Sequence, residues 1–242
     1  MSHEFQLHLI FFLVGAFASF FSTVAGFGGG IVLLALGAFL FDIKELIPIA
    51  AIFFWALSLV QFGSFRKELD RETAGIYIVS ALPGVLLGMA VFYVVPGETI
   101  KMALAVVVLA YSAGAWLGWF DKRRPGRWAS GGISLGAGFI DSITGSGGVI
   151  QAPLFLARGL RKEAFVATFA FTSVVVSPVK IGIYWGMGFF EPGNLSFVLV
   201  LAVSSILGVR LGKVLLRRVS PETFKRVALL FLVLVAVRML VL

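Results

Sequence analysis

The chain has 242 residues, of which 60% are hydrophobic and only 13% are charged. Soluble domains usually carry about 25% charged residues, so this composition excludes an ordinary soluble domain and predicts an all-α polytopic membrane protein. The formal net charge is +8. The basic residues stand mainly in short loops between apolar runs, as in the cytoplasmic loops of membrane proteins. We therefore expect these basic residues to interact with the lipid bilayer and not with nucleic acid.

The chain offers few residues for metal or thiol chemistry. It contains no cysteine, which excludes disulfides and cysteine-ligated zinc. Its two histidines, His3 and His8, lie outside any cluster of His, Asp or Glu in the sequence. We therefore expect no metal and no cofactor. Because the sequence has no GxxxxGK[ST] loop, we also expect no ATP hydrolysis by the chain itself.

Ten apolar segments follow one another along the chain. The first has no Lys or Arg before its apolar core, which favours a retained helix over a cleaved signal peptide. Most segments have about 20 residues, the length that crosses a bilayer core. The second and the seventh are shorter and predict half-helices or re-entrant segments. The segments are 5–24, 28–41, 46–65, 73–95, 99–120, 128–143, 147–157, 163–187, 194–216 and 222–241.

The distribution of Lys and Arg favours ten crossings over eight. If every segment crosses, the basic loops that follow the third, fifth, seventh and ninth segments lie on one side of the membrane. If the two short segments return to the side they entered from, the first two basic loops oppose the last two. Because Lys and Arg are enriched on the cytoplasmic side, we predict ten crossings with both termini outside the cytoplasm. An eight-helix arrangement with two hairpins stays open.

Two glycine clusters occupy corresponding places in the two halves of the chain. The stretch AGFGGGIVL begins at Ala25 and the stretch TGSGGVIQAP begins at Thr144. An offset of 119 residues pairs the glycines of one cluster with those of the other, and the same offset pairs Gln61 with Lys180. Each cluster directly precedes one of the two short segments.

A second set of glycines repeats after a shift of five residues. Gly84 then pairs with Gly208 and Gly88 with Gly212. Small residues at this spacing mainly allow two helices to approach closely, so we interpret these four glycines as packing positions.

The matched blocks predict a duplicated fold. We expect a first transmembrane repeat over 1–121 and a second over 128–242, each with about five segments and one short broken or re-entrant helix. Because five is an odd number, the second repeat enters the membrane from the opposite side. Two inverted structural repeats are a common architecture of secondary transporters.

The glycine clusters predict a binding site at two helix breaks. Broken helices persist in a membrane where they line a cavity or are buried in protein, and the helix that restarts presents N–H groups that favour an anion. The alternative is that the glycines and hydroxyls only form tight turns and caps. The candidate residues are Ser22, Thr23, Gly26, Gly28 and Gly29 in the first half and Asp141, Ser142, Thr144, Gly145, Ser146, Gly147 and Gly148 in the second.

Lys180 lies well inside the eighth segment, where a charge is costly and usually functional. Ser173, Ser177 and Lys180 share one helical face at i, i+4 and i+7, with Thr172 beside that face. We expect this face to bind the anion together with Gln61, the residue of the first half that aligns with Lys180. The alternative is a lysine that reaches the membrane surface with its long side chain.

Asp141 precedes the second glycine cluster and aligns with Ser22 in the first half. It can pair with Lys180, cap the short helix, or carry a proton that is coupled to transport. Pairing or capping ranks ahead of coupling. Either way, the polarity of the predicted site is concentrated in the second half.

The two duplicated stretches resemble a known family. They read STVAGFGGGIVLLALGAFLF and DSITGSGGVIQAPLFLARGLRKEAFVATFAFTS. The turn Lys162-Glu163-Ala164, with a looser copy at Lys44-Glu45-Leu46, completes the resemblance to the sulfite exporter TauE/SafE family, also called TSUP, over nearly the whole chain. The resemblance implies an inner-membrane transporter of sulfite, sulfonates or related small organic anions, in the direction of export or of uptake.

Together these features predict a secondary transporter that moves a small anion by alternating access and is not an enzyme. A proton or a sodium ion is the candidate coupling ion, and a homo-oligomer is a candidate assembly. An anion channel, an intramembrane enzyme that uses Asp141 with Lys180, and a membrane scaffold are the rival interpretations.

Overall fold

The computed structural model of the protein describes residues 3–25, 27–37, 42–117, 124–160, 162–190 and 195–216, together with Val233 and Val237. Within these residues the secondary structure is helical and contains no strand. The tenth predicted segment, 222–241, lies outside the described residues except for those two valines.

The described helices coincide with the first nine predicted segments, and most of their ends lie within three residues of the predicted ones. A single 3-10 turn, Arg66–Glu68, follows the third helix. The helices are α1 His3–Ala25, α2 Gly29–Gly37, α3 Ile43–Phe65, α4 Arg71–Val94, α5 Gly97–Trp116, α6 Arg127–Thr144, α7 Gly148–Ala157, α8 Lys162–Gly186 and α9 Leu195–Leu216.

The two helices that were predicted to be short are α2 and α7. α2 has 9 residues and α7 has 10. A helix of this length spans about 15 Å, half of a hydrocarbon core of about 30 Å. Within the described residues neither helix alone is long enough to span the hydrocarbon core, as expected for half-helices or re-entrant segments.

The length and composition of the longer helices suit a multi-pass membrane protein. In the described part of the chain, five helices are long and apolar enough to cross a membrane, namely α1, α3, α4, α8 and α9. Large apolar side chains on α4 and α9, such as Leu87 at 58% and Leu199 at 67% exposure, face away from the protein. Such faces suit contact with lipid. The number of crossings and the side of the termini stay predictions.

Local sequence signals determine where several helices begin and end. The carboxylate of Asp42 accepts from the N–H of Lys44 at 2.8 Å, and that of Asp70 accepts from the N–H of Thr73 at 2.7 Å, at the starts of α3 and α4. α6 ends at Gly145, which has a φ of 67°. Glycine adopts this left-handed conformation without the Cβ clash that penalises other residues, so the chain leaves α6 there and restarts as α7.

The most extensive helix contacts join α4 to α6, α1 to α9 and α3 to α8. At Gly84 an added Cβ would clash with the carbonyl oxygen of Leu135, and at Gly208 it would clash with that of Ala16. At Gly88 it would press on Phe139 and at Gly212 on Phe20, in both cases at the carbonyl oxygen. The prediction that these glycines permit close packing is confirmed.

The contacts of the two halves correspond position by position. Leu135 and Phe139 on α6 lie 119 residues after Ala16 and Phe20 on α1. The glycines of α4 therefore touch the same positions of α6 that the glycines of α9 touch on α1.

Two basic residues form contacts between helices. Arg158 is buried at the end of α7 and donates to Thr73 at 2.8 Å and to Glu72 at 2.8 Å. The ammonium of Lys213 on α9 lies 3.4 Å from the carbonyl oxygen of Ser64 and 5.4 Å from the centre of the Phe65 ring. Both side chains join helices that are distant in sequence.

Candidate functional site

The two glycine breaks meet at one pocket with a volume of about 70 Å³. A cavity needs about 10–15 Å³ to hold one water molecule, so the pocket has room for a small molecule. The first half and the second half both contribute to its wall. The lining residues are Ser22, Gly28, Gly29, Gly30, Phe54, Leu57, Ser58, Gln61, Asp141, Gly145, Ser146, Gly148, Gln151, Phe169, Ser173, Ser177 and Lys180.

Lys180 is buried in the wall of this pocket, with a relative exposure of 5%. Its ammonium donates to one carboxylate oxygen of Asp141 and forms an ion pair with it. Ser173 and Ser177 line the same pocket, as their shared helical face predicts. Lys180 therefore points into the protein interior and not toward the membrane surface.

Asp141 connects the ion pair to the turn between α6 and α7. Its other carboxylate oxygen accepts from the N–H of Gly147 at 3.0 Å. Pairing with Lys180 and capping of the turn were predicted as alternatives, and the structure contains both contacts. A carboxylate that accepts two donors is held in one orientation.

The first half contains a neutral counterpart of this ion pair. The side-chain amide of Gln61 donates to Thr23 at 3.1 Å and approaches Ser22 at 3.4 Å. Gln61 and Ser22 align with Lys180 and Asp141, so aligned positions contact each other in both halves. The predicted asymmetry of the site is present: one half supplies an ion pair and the other an amide with two hydroxyls.

The alignment of the breaks themselves shifts by one residue. An added Cβ at Gly29 would meet Ala18 and Ser22, whereas at Gly147 it would meet the corresponding Ala137 and Asp141. By their contacts Gly29 therefore corresponds to Gly147, and not to Gly148 as the sequence alignment predicts. Left-handed glycines among the described residues of the two turns are Gly28 and Gly145.

Several predicted residues support the pocket from behind without lining it. The hydroxyl of Thr144 hydrogen-bonds that of Ser146 at 2.8 Å. Ser142 donates to the carbonyl oxygen of Gly138 at 3.0 Å, and Thr172 accepts from Gln151 at 2.6 Å. The predicted residues that form this second layer behind the lining are Thr23, Ser142, Thr144, Gly147 and Thr172. Gly26 lies outside the described residues.

Six of the residues that line the pocket were not predicted from the sequence to belong to the site. Two of them had a usable signal: Ser58 aligns with Ser177, and Gln151 is the single polar side chain of α7. Phe54 and Phe169 had none, because an aromatic residue in an apolar helix is indistinguishable from a lipid-facing one. Their rings cover Gly30 and Gly148, where an added Cβ would collide with them. The remaining two are Gly30 and Leu57.

The pocket offers groups that suit an oxyanion. It contains a buried ammonium, serine hydroxyls, two side-chain amides and the glycine starts of two helices. Hydrogen bonds in which one partner is ionised are about twice as strong as neutral ones, so Lys180 is the strongest of these donors. Among the described residues no group of three or more His, Cys, Asp or Glu side chains could hold a metal ion.

Comparison with known proteins agrees with the chemistry of this pocket. The family model described as Sulfite exporter TauE/SafE matches residues 11–239, which is nearly the whole chain. No match was found among curated proteins or solved structures. Membership in this family implies membrane transport of sulfur anions and not an enzymatic activity. The chain therefore belongs to the sulfite exporter TauE/SafE family of membrane transporters.

Proposed function

We propose that the protein is a secondary transporter that carries a small sulfur-containing oxyanion, such as sulfite or a sulfonate, across the inner membrane. The observation that carries this proposal is the meeting of both glycine breaks with the buried ammonium of Lys180 in one pocket. The ammonium supplies the opposite charge. The serine hydroxyls and the amides of Gln61 and Gln151 supply further donors.

The proposal includes two inverted repeats, over 1–121 and 128–242, that rock against each other around the pocket. The corresponding contacts of α4 with α6 and of α9 with α1 support a pseudo-twofold relation between the halves. Under this relation α3 and α8 exchange places, and they also pack against each other. Alternating access then needs only a change in how the two halves meet.

The test of transport is counterflow in liposomes that contain the purified protein. We expect labelled sulfite to accumulate in vesicles preloaded with unlabelled sulfite, and to saturate as its concentration rises. Thiosulfate and methanesulfonate, added as competitors, define the accepted class of anion. A channel would instead give unitary currents and no counterflow, and an absence of flux and of binding for all three anions would overturn the proposal.

The orientation in the membrane is tested by cysteine labelling, because the chain contains no cysteine. We expect a cysteine at position 69 to react only from the cytoplasmic side, and one at position 98 only from the outside. Labelling of both positions from the same side would contradict the proposed ten crossings.

A further inference from the structure

The charges that line the pocket cancel before any substrate arrives. Lys180 and Asp141 are the only lining residues with a formal charge in the described part of the chain, and they pair with each other. The pocket is thus neutral as a whole. An arriving anion meets a carboxylate as well as an ammonium.

Asp141 also occupies donors that the substrate needs. One of its oxygens accepts from Lys180 and the other from the N–H of Gly147. Its carboxylate therefore takes the place of an oxyanion at the second break. Two buried phenols lie near Asp141: Tyr77 on α4, and Tyr184 on α8, whose hydroxyl donates to the carbonyl oxygen of Ser142 at 3.0 Å.

A second negative charge in this pocket is costly. Two like charges about 4 Å apart, at an effective dielectric constant of about 20, repel strongly enough to lower an affinity by about a thousandfold. A proton on Asp141 removes this repulsion. It also releases the ammonium of Lys180 from its ion pair, so that the ammonium can face the anion.

We propose that Asp141 is the coupling site of the transporter, and that one proton binds to its carboxylate together with each substrate anion. This inference rests on the proposed function. The proton comes from water on the side from which the anion enters and leaves with the anion on the other side. The empty pocket then restores the ion pair between Lys180 and Asp141, which lets the carrier return in a neutral state.

The first half supports the assignment to Asp141. At the aligned positions Gln61 and Ser22 make a similar contact with no titratable group. Among the pocket-lining residues of the described chain, Asp141 is the one carboxylate. A proton that is coupled to the anion in this pocket therefore has one acceptor of suitable chemistry.

The test is the pH dependence of sulfite binding to the purified protein. Because the liganded state holds the extra proton, the affinity rises as the pH falls, by up to about tenfold per pH unit for one proton. Sulfite also titrates, so the informative quantity is the difference between wild type and Asp141→Asn. We expect Asp141→Asn to lose the part of the pH slope that Asp141 supplies and to bind more tightly than wild type at about pH 8.

The control is Glu98→Gln, which removes an exposed carboxylate in the first turn of α5 and should keep the wild-type slope. Equal pH slopes in wild type and Asp141→Asn would overturn the coupling while leaving anion binding, and so the proposed function, intact. An absence of sulfite binding in wild type at every pH would overturn the proposed function instead.

A measurement on wild type alone covers the case in which Asp141→Asn fails to fold. Calorimetry of methanesulfonate binding in two buffers with different ionisation enthalpies counts the protons that are taken up. Methanesulfonate does not titrate at about pH 8.5, so the acceptor of any proton taken up is the protein, and we expect an uptake of about one proton per anion. Binding with no proton uptake would overturn the coupling.

Discussion

The two helix breaks share a scaffold and differ in charge. In each half a long helix ends at a glycine turn and a helix of 9 or 10 residues follows. A residue from the next long helix contacts the residue three positions before the end of the first helix. In the first half this contact joins Gln61 to Ser22 and Thr23. In the second half it joins Lys180 to Asp141.

The comparison shows that packing and chemistry have separate requirements in this fold. The close approach of α4 to α6 and of α1 to α9 needs glycines at equivalent places in both halves. The ion pair needs to exist only once, since one buried ammonium is enough to attract one anion. Burying an ion pair costs desolvation free energy that the attraction between the two charges barely offsets. A neutral hydrogen-bonded pair therefore costs less free energy at the corresponding position of the other half.

Removal of the ammonium should have the largest effect. We expect Lys180→Ala to lower sulfite flux by at least about 100-fold, because it removes the positive charge that attracts the anion and leaves the partly buried Asp141 without its partner. Lys180→Arg should keep part of the flux. Gln61→Ala, at the aligned position, should lower flux by only about tenfold, since it removes neutral hydrogen bonds of about 1 kcal/mol each.

Flux in liposomes at matched protein content measures this difference. Gly182→Ala, on α8 with Lys180, is the control, because an added Cβ there meets open space. Wild-type flux in Lys180→Ala would remove Lys180 from the site. Equal losses in Lys180→Ala and Gln61→Ala would show that charge does not distinguish the two halves.

The turns themselves should respond next. In Gly147→Leu the new side chain would collide with Asp141 and Ala137 and displace the carboxylate, so we expect flux to be nearly lost. In Gly28→Leu the φ of 87° strains the backbone, at a cost of about 1–3 kcal/mol, and we expect a smaller loss. Gly132→Leu, which meets open space on α6, is the control. Wild-type flux in both turn variants would show that the breaks do not form the pathway.

The packing glycines should show equal and moderate effects. We expect Gly84→Ala and Gly208→Ala each to lower the free energy of unfolding by about 1–3 kcal/mol, because a Cβ meets a backbone carbonyl in both places. Thermal unfolding in detergent measures the loss, and Gly75→Ala on an open face of α4 should show none. A severe loss in one variant with no loss in the other would break the equivalence of the halves.

The smallest effect is expected where the second half is made to resemble the first. Gln151→Val places at position 151 the residue found at the aligned position 32. It removes one hydrogen bond to Thr172, which still donates to the carbonyl oxygen of Phe169 at 2.8 Å. We expect the affinity for sulfite, measured by binding, to fall by no more than about fivefold. Complete loss of binding would instead mean that the Gln151 amide is the main donor to the anion.

Much of the site follows from local sequence features. A buried lysine needs a partner, so Asp141 could be named before any coordinates, and the serines one turn apart on α8 share its face through helical periodicity. The residues that escaped detection are those whose role depends on another helix. Phe54 and Phe169 cover glycines of α2 and α7, and no pattern within α3 or α8 distinguishes these rings from rings that face lipid.

The sequence by itself determined the membrane environment, the helix boundaries, the two short helices and the glycines that let helices approach, because each depends on composition or on residues close in the chain. Only the tertiary structure decided which side chains meet. The shift of one residue between the two turns, the burial of Arg158 against Thr73 and the arrangement in which Asp141 engages both Lys180 and Gly147 all depend on how the helices and the turns between them pack. That packing depends on contacts between distant residues, which local periodicity does not encode.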